Sequence, residues 1–212
     1  MTRRVVLATR NEHKVHELRQ ILADVVADLD LELVSAREYP DVPDVAETEV
    51  TFEGNARLKA VALAYATGLP ALADDSGLAI DVLGGCPGVF SARWSGRHDG
   101  ADLTRHEIDR RNLQLVLDQI ADVPDRHRRA AFQCAAVLAL PDGRVVAAHG
   151  SLDGVITREP VGENGFGYDP IFRPDGLEVT TAQLTDEEKN AISHRGRAFR
   201  TLAPQLRDLL AP

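Results

Sequence analysis

The sequence predicts an α/β protein: a mixed β-sheet with flanking helices. Three observations carry that expectation. Short apolar runs alternate with helical patterns through the first third of the chain. A strong hairpin signal follows, which adds antiparallel strands to the parallel ones that such alternation builds. Two helix starts are marked by capping boxes, Thr104 with Glu107 and Thr185 with Glu188.

Residues 5–8 form an apolar run that reads as a buried strand. It feeds a polar turn, Thr9-Arg10-Asn11, and then a helix on which Val15, Leu18, Leu22 and Val25 recur at helical spacing. Residues 31–34 suggest a second strand. Residues 35–49 hold Pro40, Pro43 and several acids and read as a loop. A helix over 51–67 is stopped by Gly68 and Pro70. The apolar run 71–73 reads as a strand ending at Asp74-Asp75-Ser76-Gly77, with strand character resuming over 78–83 until the glycine-rich stretch 84–88. The helix behind Thr104 carries Ile108, Leu113, Val116, Leu117 and Ile120. Residues 131–140 and 145–148 flank the turn Pro141-Asp142-Gly143-Arg144. Ser193 stands where it would cap a last helix bearing Phe199, Leu202, Leu206 and Leu209.

The chain has 212 residues, 44% hydrophobic and 27% charged, which suits one soluble domain over 1–212 or two closely joined lobes. A net charge of -9 argues against broad binding to nucleic acid. It leaves room for a small anionic substrate, because local cations or a metal can invert the field within one site. Cys86 and Cys134 stand too far apart in sequence for a zinc motif and are expected as reduced thiols. The first residues lack the apolar run of a signal peptide, and no stretch reaches the length of a membrane span. A cytoplasmic location, with no membrane partner, is the expectation.

Four pieces of sequence carry chemistry. Lys14 falls in the first turn of the first helix, where a cation opposes the helix dipole. Either it is an exposed lysine, or an anion sits there, held by helix N–H groups, Lys14, Thr9 and Asn11. Asp74 and Asp75 follow a strand, where α/β proteins place ligand sites. Successive strand residues face opposite ways, so one aspartate would face the site and the other support it. The same residues also read as an acidic turn. Glu47, in the preceding acidic loop, would join Asp75 in meeting the one or two carboxylates that Mg²⁺ takes beside phosphate oxygens and water. The third piece, 162–170 (GENGFGYDP), surrounds Phe166 and Tyr168 with glycines, which suits either a base-stacking loop or a tight turn with aromatics in the core. The fourth gathers donors, Lys189, His194 and Arg195, suited to phosphate or to a base's carbonyl edge, or to a solvated face.

Together these pieces resemble the inosine triphosphate pyrophosphatase family, which removes noncanonical purine nucleoside triphosphates such as ITP, dITP and XTP from the nucleotide pool. The matching stretches run in order: 6–14 (VLATRNEHK), 51–60 (TFEGNARLKA), 73–78 (ADDSGL), 84–93 (GGCPGVFSAR), 165–170 (GFGYDP) and 188–196 (EKNAISHRG). Arg10 departs from the pattern, since relatives often carry a small residue there. The resemblance implies an elongated fold with two lobes around a substrate cleft, a homodimer and a Mg²⁺ cofactor. It implies that Asp75 is the proton acceptor and, with Glu47, a metal ligand. Thr9, Arg10, Asn11, Lys14, Lys59 and Ser76 would hold the triphosphate. Phe166, Gly167, Tyr168, Asp169, Lys189, His194 and Arg195 would hold the nucleoside. Two alternatives are a septum-formation-type pyrophosphatase acting on pyrimidine or modified nucleotides, and a nucleotide-binding regulator without catalysis. The 165–169 and 193–195 stretches favour the purine enzyme over the first, and the paired acids Asp75 and Glu47 favour an enzyme over the second.

Overall fold

The structure is a computed structural model and describes residues 3–98 and 102–211. The chain divides into two compact units, each assembled from separated stretches. Unit 1 takes the residues up to Asp75, Cys134–Gly150 and those from His194 onward. Unit 2 takes Ser76–Gln133 and Ser151–Ser193.

In unit 1, β1 (Arg3–Leu7) pairs in parallel with β2 (Leu31–Ser35), Val5 opposite Leu33. It also pairs in parallel with β3 (Ala71–Ile80), Val6 opposite Ala71. Alternation sends Val5 and Leu7 to one face and Val6 to the other. The first face is covered by α1 (Glu12–Ile21), α2 (Ala23–Asp28) and α6 (His194–Leu210) through Leu18, Leu22, Val25, Phe199, Leu202 and Leu206. The second is covered by α3 (Phe52–Thr67), whose Ala56, Ala60 and Ala64 meet Val6, Ala71, Ala73 and Ala139. Small side chains on both surfaces let α3 pack close to the sheet, which sets the reach of its polar residues toward β3. Thr51 caps α3 by accepting from Gly54 N at 3.0 Å, and Gly68 ends it at φ 67°.

In unit 2, α4 (Arg105–Gln119) starts at the Thr104–Glu107 capping box. It packs Leu113, Val116 and Leu117 against Leu78, Ile80, Phe132, Leu152 and Phe172. Phe132 lies on β4 (Arg129–Ala139) and Leu152 on β5 (Val145–Ile156), while Phe172 opens β6 (Phe172–Pro174), antiparallel to β5. The buried Arg128 donates to the carbonyls of Ile120, Ile156 and Thr157, which ties the end of α4 to the end of β5. A short α5 (Asp186–Ile192) follows the second capping box. The sheet order is β2-β1-β3-β4-β5-β6, so the predicted mixed α/β class holds.

Three expectations change. The first helix is two, α1 and α2, divided at Leu22. Residues 74–77 form no turn: β3 runs unbroken to Ile80, and a 3-10 turn follows at Asp81–Leu83 where strand was expected. β5 continues beyond Ala148 to Ile156. Gly150 permits that, since a Cβ there would lie 2.2 Å from the His194 carbonyl oxygen. Ser193 closes α5 by donating its N–H to the Lys189 carbonyl at 2.8 Å, and it stands in extended conformation immediately before α6, where a cap was expected. No described helix is long and apolar enough to cross a membrane.

Candidate active site

β3 runs under α3, and its two aspartates meet different partners. Asp75 Oδ2 accepts from Asn55 Nδ2 at 3.1 Å. The Lys59 ammonium lies 3.6 Å from Asp75 Oδ1 and 2.8 Å from Glu47 Oε1. Asn55 and Lys59 stand one helical turn apart on α3, so both face the strand. The Asn55 carbonyl also accepts from Glu49 N at 2.9 Å, so one buried amide fixes both Asp75 and the segment bearing Glu47. Gly54 makes room for that segment, since a Cβ there would sit 2.6 Å from Glu49 Cβ.

Burial pushes the Asp75 carboxyl above its ordinary pKa, and Glu47 adds to the rise against the opposing pull of Lys59, Lys14 and Asn55. Burial works against the Lys59 ammonium too, but Asp75, Asp74 and Glu47 outweigh it and raise its pKa. Two hard oxygen ligands therefore converge on one positive charge. That donor set fits Mg²⁺, which takes one or two carboxylates and completes its shell with phosphate and water. Among the described residues no group of three or more His, Cys, Asp or Glu side chains forms a fuller cage.

Asp74 is almost wholly buried. Its Oδ2 accepts from Lys14 Nζ at 3.1 Å and from Arg195 Nε and Nη2 at 3.2 Å each. A further Arg195 nitrogen donates to Glu17, three residues beyond Lys14 on α1. Burial would raise the Asp74 carboxyl, but Lys14 and Arg195 hold it well below the carboxylate range. Two acids and two bases thus neutralise one another. Lys14 is not the free cation that its position near a helix start suggested, because a buried carboxylate holds it. Arg195, expected at the nucleoside, has its guanidinium in this network of unit 1; Asp74 and Glu17 draw it there by charge.

In the first turn, Thr9 Oγ1 accepts from Asn11 N at 3.2 Å. Arg10 turns away to the loop beyond β2, with Nη2 2.6 Å from the Val42 carbonyl and Nη1 3.1 Å from Asp44. Ser76 continues β3 immediately after Asp75, and His194, buried, opens α6.

Unit 2 gathers the remaining candidates around a buried carboxylate, Asp169. Its Oδ2 accepts from Phe166 N at 2.8 Å and Lys189 Nζ at 2.6 Å, and its Oδ1 from Thr181 Oγ1 at 2.8 Å. The Lys189 ammonium also lies 4.8 Å from the centroid of the half-buried Phe166 ring. Gly165, at φ 75°, is obligatory, because a Cβ would meet Asp169 Oδ2 at 2.1 Å. Gly167, at φ 64°, donates its N–H to Asp109 Oδ2 at 3.2 Å. Tyr168 lies in the core and donates its hydroxyl to the Ser91 carbonyl at 2.8 Å. It braces the loop from behind.

Sequence reasoning missed Asn55, Glu17, Asp109 and Thr181. A signal existed for Asn55, a residue poorly suited to a helix interior yet one turn before Lys59. The other three are ordinary helix or loop residues whose roles depend on distant partners.

The sequence profile of the Ham1 family matches residues 5–205. The chain is 59% identical over 207 residues to a protein of Streptomyces avermitilis named dITP/XTP pyrophosphatase, covering 98% of each. It is 47% identical over 207 residues to one of Mycobacteroides abscessus with the same name, covering 98% of this chain and 96% of that one. Among solved structures, a HAM1 protein from Coxiella burnetii superposes with a TM-score of 0.83 at 41% identity, over 97% of this chain and 99% of that one.

Proposed function

The chain belongs to the Ham1 family, and on that premise we propose that it hydrolyses noncanonical purine nucleoside triphosphates (ITP, dITP and XTP) to the monophosphate and pyrophosphate. One observation carries the reading: a buried aspartate with a raised pKa stands beside a second acid and a lysine, in a chain so similar to named dITP/XTP pyrophosphatases.

Glu47 and Asp75 would hold Mg²⁺, the cofactor of this reading, which when bound would neutralise phosphate charge and polarise the α-phosphorus. Asp75 takes the proton of the attacking water. A bond forms from water oxygen to the α-phosphorus. The bond to the bridging oxygen breaks, and pyrophosphate leaves with that electron pair. Lys14 and Lys59 meet the triphosphate charge, and Thr9, Asn11 and Ser76 donate to its oxygens. Phe166 stacks on the purine, with Gly167, Asp169, Lys189 and His194 at the nucleoside end. Arg10, Tyr168 and Arg195 act from behind, holding the loop beyond β2, the Phe166 loop and Asp74 in place. The same reading takes residues 1–212 as one pyrophosphatase domain, in a cytoplasmic homodimer without nucleic-acid or membrane partners.

The test is a panel of ITP, dITP, XTP, GTP, ATP and dUTP with Mg²⁺ or with chelator, run in ¹⁸O-labelled water. The expected result is label in the monophosphate, loss of turnover with chelator, and kcat/KM for ITP at least about a hundredfold above ATP. Nucleoside diphosphate with labelled inorganic phosphate, or a pyrimidine preference, overturns the proposal.

A further inference from the structure

The Phe166 loop is gripped at two successive peptide groups. Phe166 N–H points to Asp169 Oδ2 at 2.8 Å, from within the loop, and Gly167 N–H points to Asp109 Oδ2 at 3.2 Å, from α4. Both carboxylates are buried. The peptide planes before and after Phe166 Cα are therefore both anchored by carboxylates, which leaves the ring's direction little freedom. Asp109 is an expensive residue for a helix interior to bury. Besides Gly167, it meets the exposed Arg105 one turn earlier, Nε to Oδ1 at 3.1 Å. An arginine that stays in solvent is a weak compensation for a buried carboxylate. Burial pushes the Asp109 carboxyl up in pKa, as expected of an acid kept in place at a cost.

We propose that Asp109 is a positioning residue for the purine end of the site: by holding Gly167 N–H it fixes the Phe166 ring as a preformed stacking platform. This rests on the proposed function, in which Phe166 meets the base. Such a platform binds without first ordering the loop, so the effect falls on nucleotide affinity and leaves the chemical step alone. Asparagine at 109 retains an oxygen of the same reach and serves as the conservative rescue. Alanine removes the acceptor, and glutamate displaces it by one methylene.

The experiment measures kcat and KM for ITP in wild type, Asp109→Ala, Asp109→Glu and Asp109→Asn, with the inhibition constant of inorganic tripolyphosphate and thermal stability for each. Leu113→Ala, a buried position on the same helix, controls for loss of stability alone. Losing part of the stacking on Phe166 should raise KM about tenfold in Asp109→Ala and Asp109→Glu, with kcat within about twofold. Asp109→Asn should stay near wild type, tripolyphosphate should bind all variants alike, and Leu113→Ala should keep its KM. Should the alanine variant not purify, the glutamate variant carries the test. An unchanged KM, an equal weakening of tripolyphosphate, or the same KM rise in Leu113→Ala overturns the inference alone. A wild-type protein that neither binds nor turns over ITP overturns the proposed function and this inference with it.

Discussion

Asp74 and Asp75 are the same side chain one residue apart on β3, yet their surroundings push them in opposite directions. Asp74 meets Lys14 and Arg195 and is held as a carboxylate far into acid. Asp75 is buried beside a second acid, Glu47, and the lysine they share and the Asn55 amide do not offset this, so its proton affinity rises. On the Asp74 side opposite charges are matched, so the network holds structure together. On the Asp75 side they are unmatched, so the carboxylate is left reactive toward water or a cation. The alternation of a strand is enough to separate the two roles.

Neutralising Asp75 has the largest expected effect. Asp75→Asn should fold and lose roughly 10²–10⁴-fold in turnover, the usual cost of removing a general base. Retention of more than half the activity at saturating Mg²⁺ would show that another group activates water. Next in size is Arg195→Met, which leaves the buried Asp74 and the half-buried Glu17 without their shared guanidinium. Breaking a buried pair in this way costs about 3–5 kcal/mol, read from urea denaturation. If the loss is negligible and only base preference changes, Arg195 reads the purine after all.

Lys14→Ala distinguishes the helix end from the buried partner. The helix dipole alone predicts a slight gain in stability when a cation leaves the first turn. The hydrogen bond to Asp74 reverses the sign, and the variant should lose about 1.5–3 kcal/mol, the range of bonds to charged groups. Thermal melts without ligand decide between the two.

The smallest effect is the pH dependence. Asp74 has a depressed pKa in the folded state, so its contribution is fully present above the ordinary aspartate value of 3.8 and is lost as pH falls toward the folded value. Asp75 has a raised one, so its contribution is present below 3.8 and is lost as pH rises through the folded value. Asp75→Asn should accordingly melt above wild type at neutral pH and lose that advantage near pH 4. Asp74→Asn should melt below wild type at neutral pH. Equal shifts of one sign in the two variants would refute the contrast.

Much of the fold could be read from local chemistry, because caps and periodicity are local. Thr51, Thr104 and Thr185 start the helices the sequence says they start. Residues 74–77 misled because Asp-Asp-Ser-Gly is turn chemistry, whereas Lys14, Arg195, Asn55 and Lys59 supply what lets the acids stay in a strand. Tertiary partners override strand propensity in that way. The candidate residues were legible as types, but not their pairings. Nothing beside Arg195 in sequence says that its guanidinium meets Asp74 and Glu17. Nothing near Asp109 says that it reaches Gly167.

The interleaving of the two units has a consequence for how the protein is made. Unit 2 is complete in sequence at Ser193, while unit 1 still awaits α6. Phe199, Leu202 and Leu206 fill the sheet face that β1 presents from the start of the chain. Chains emerge from the ribosome at about 5–20 residues per second, and the usual order is for the amino-terminal domain to fold first. Here the unit that contains β1 is the last to be complete in sequence. β1 leaves the exit tunnel long before α6 is synthesised, and a stalled or prematurely terminated message lacking α6 would release a polypeptide in which that sheet face is covered only by α1 and α2, a substrate for chaperones and proteases.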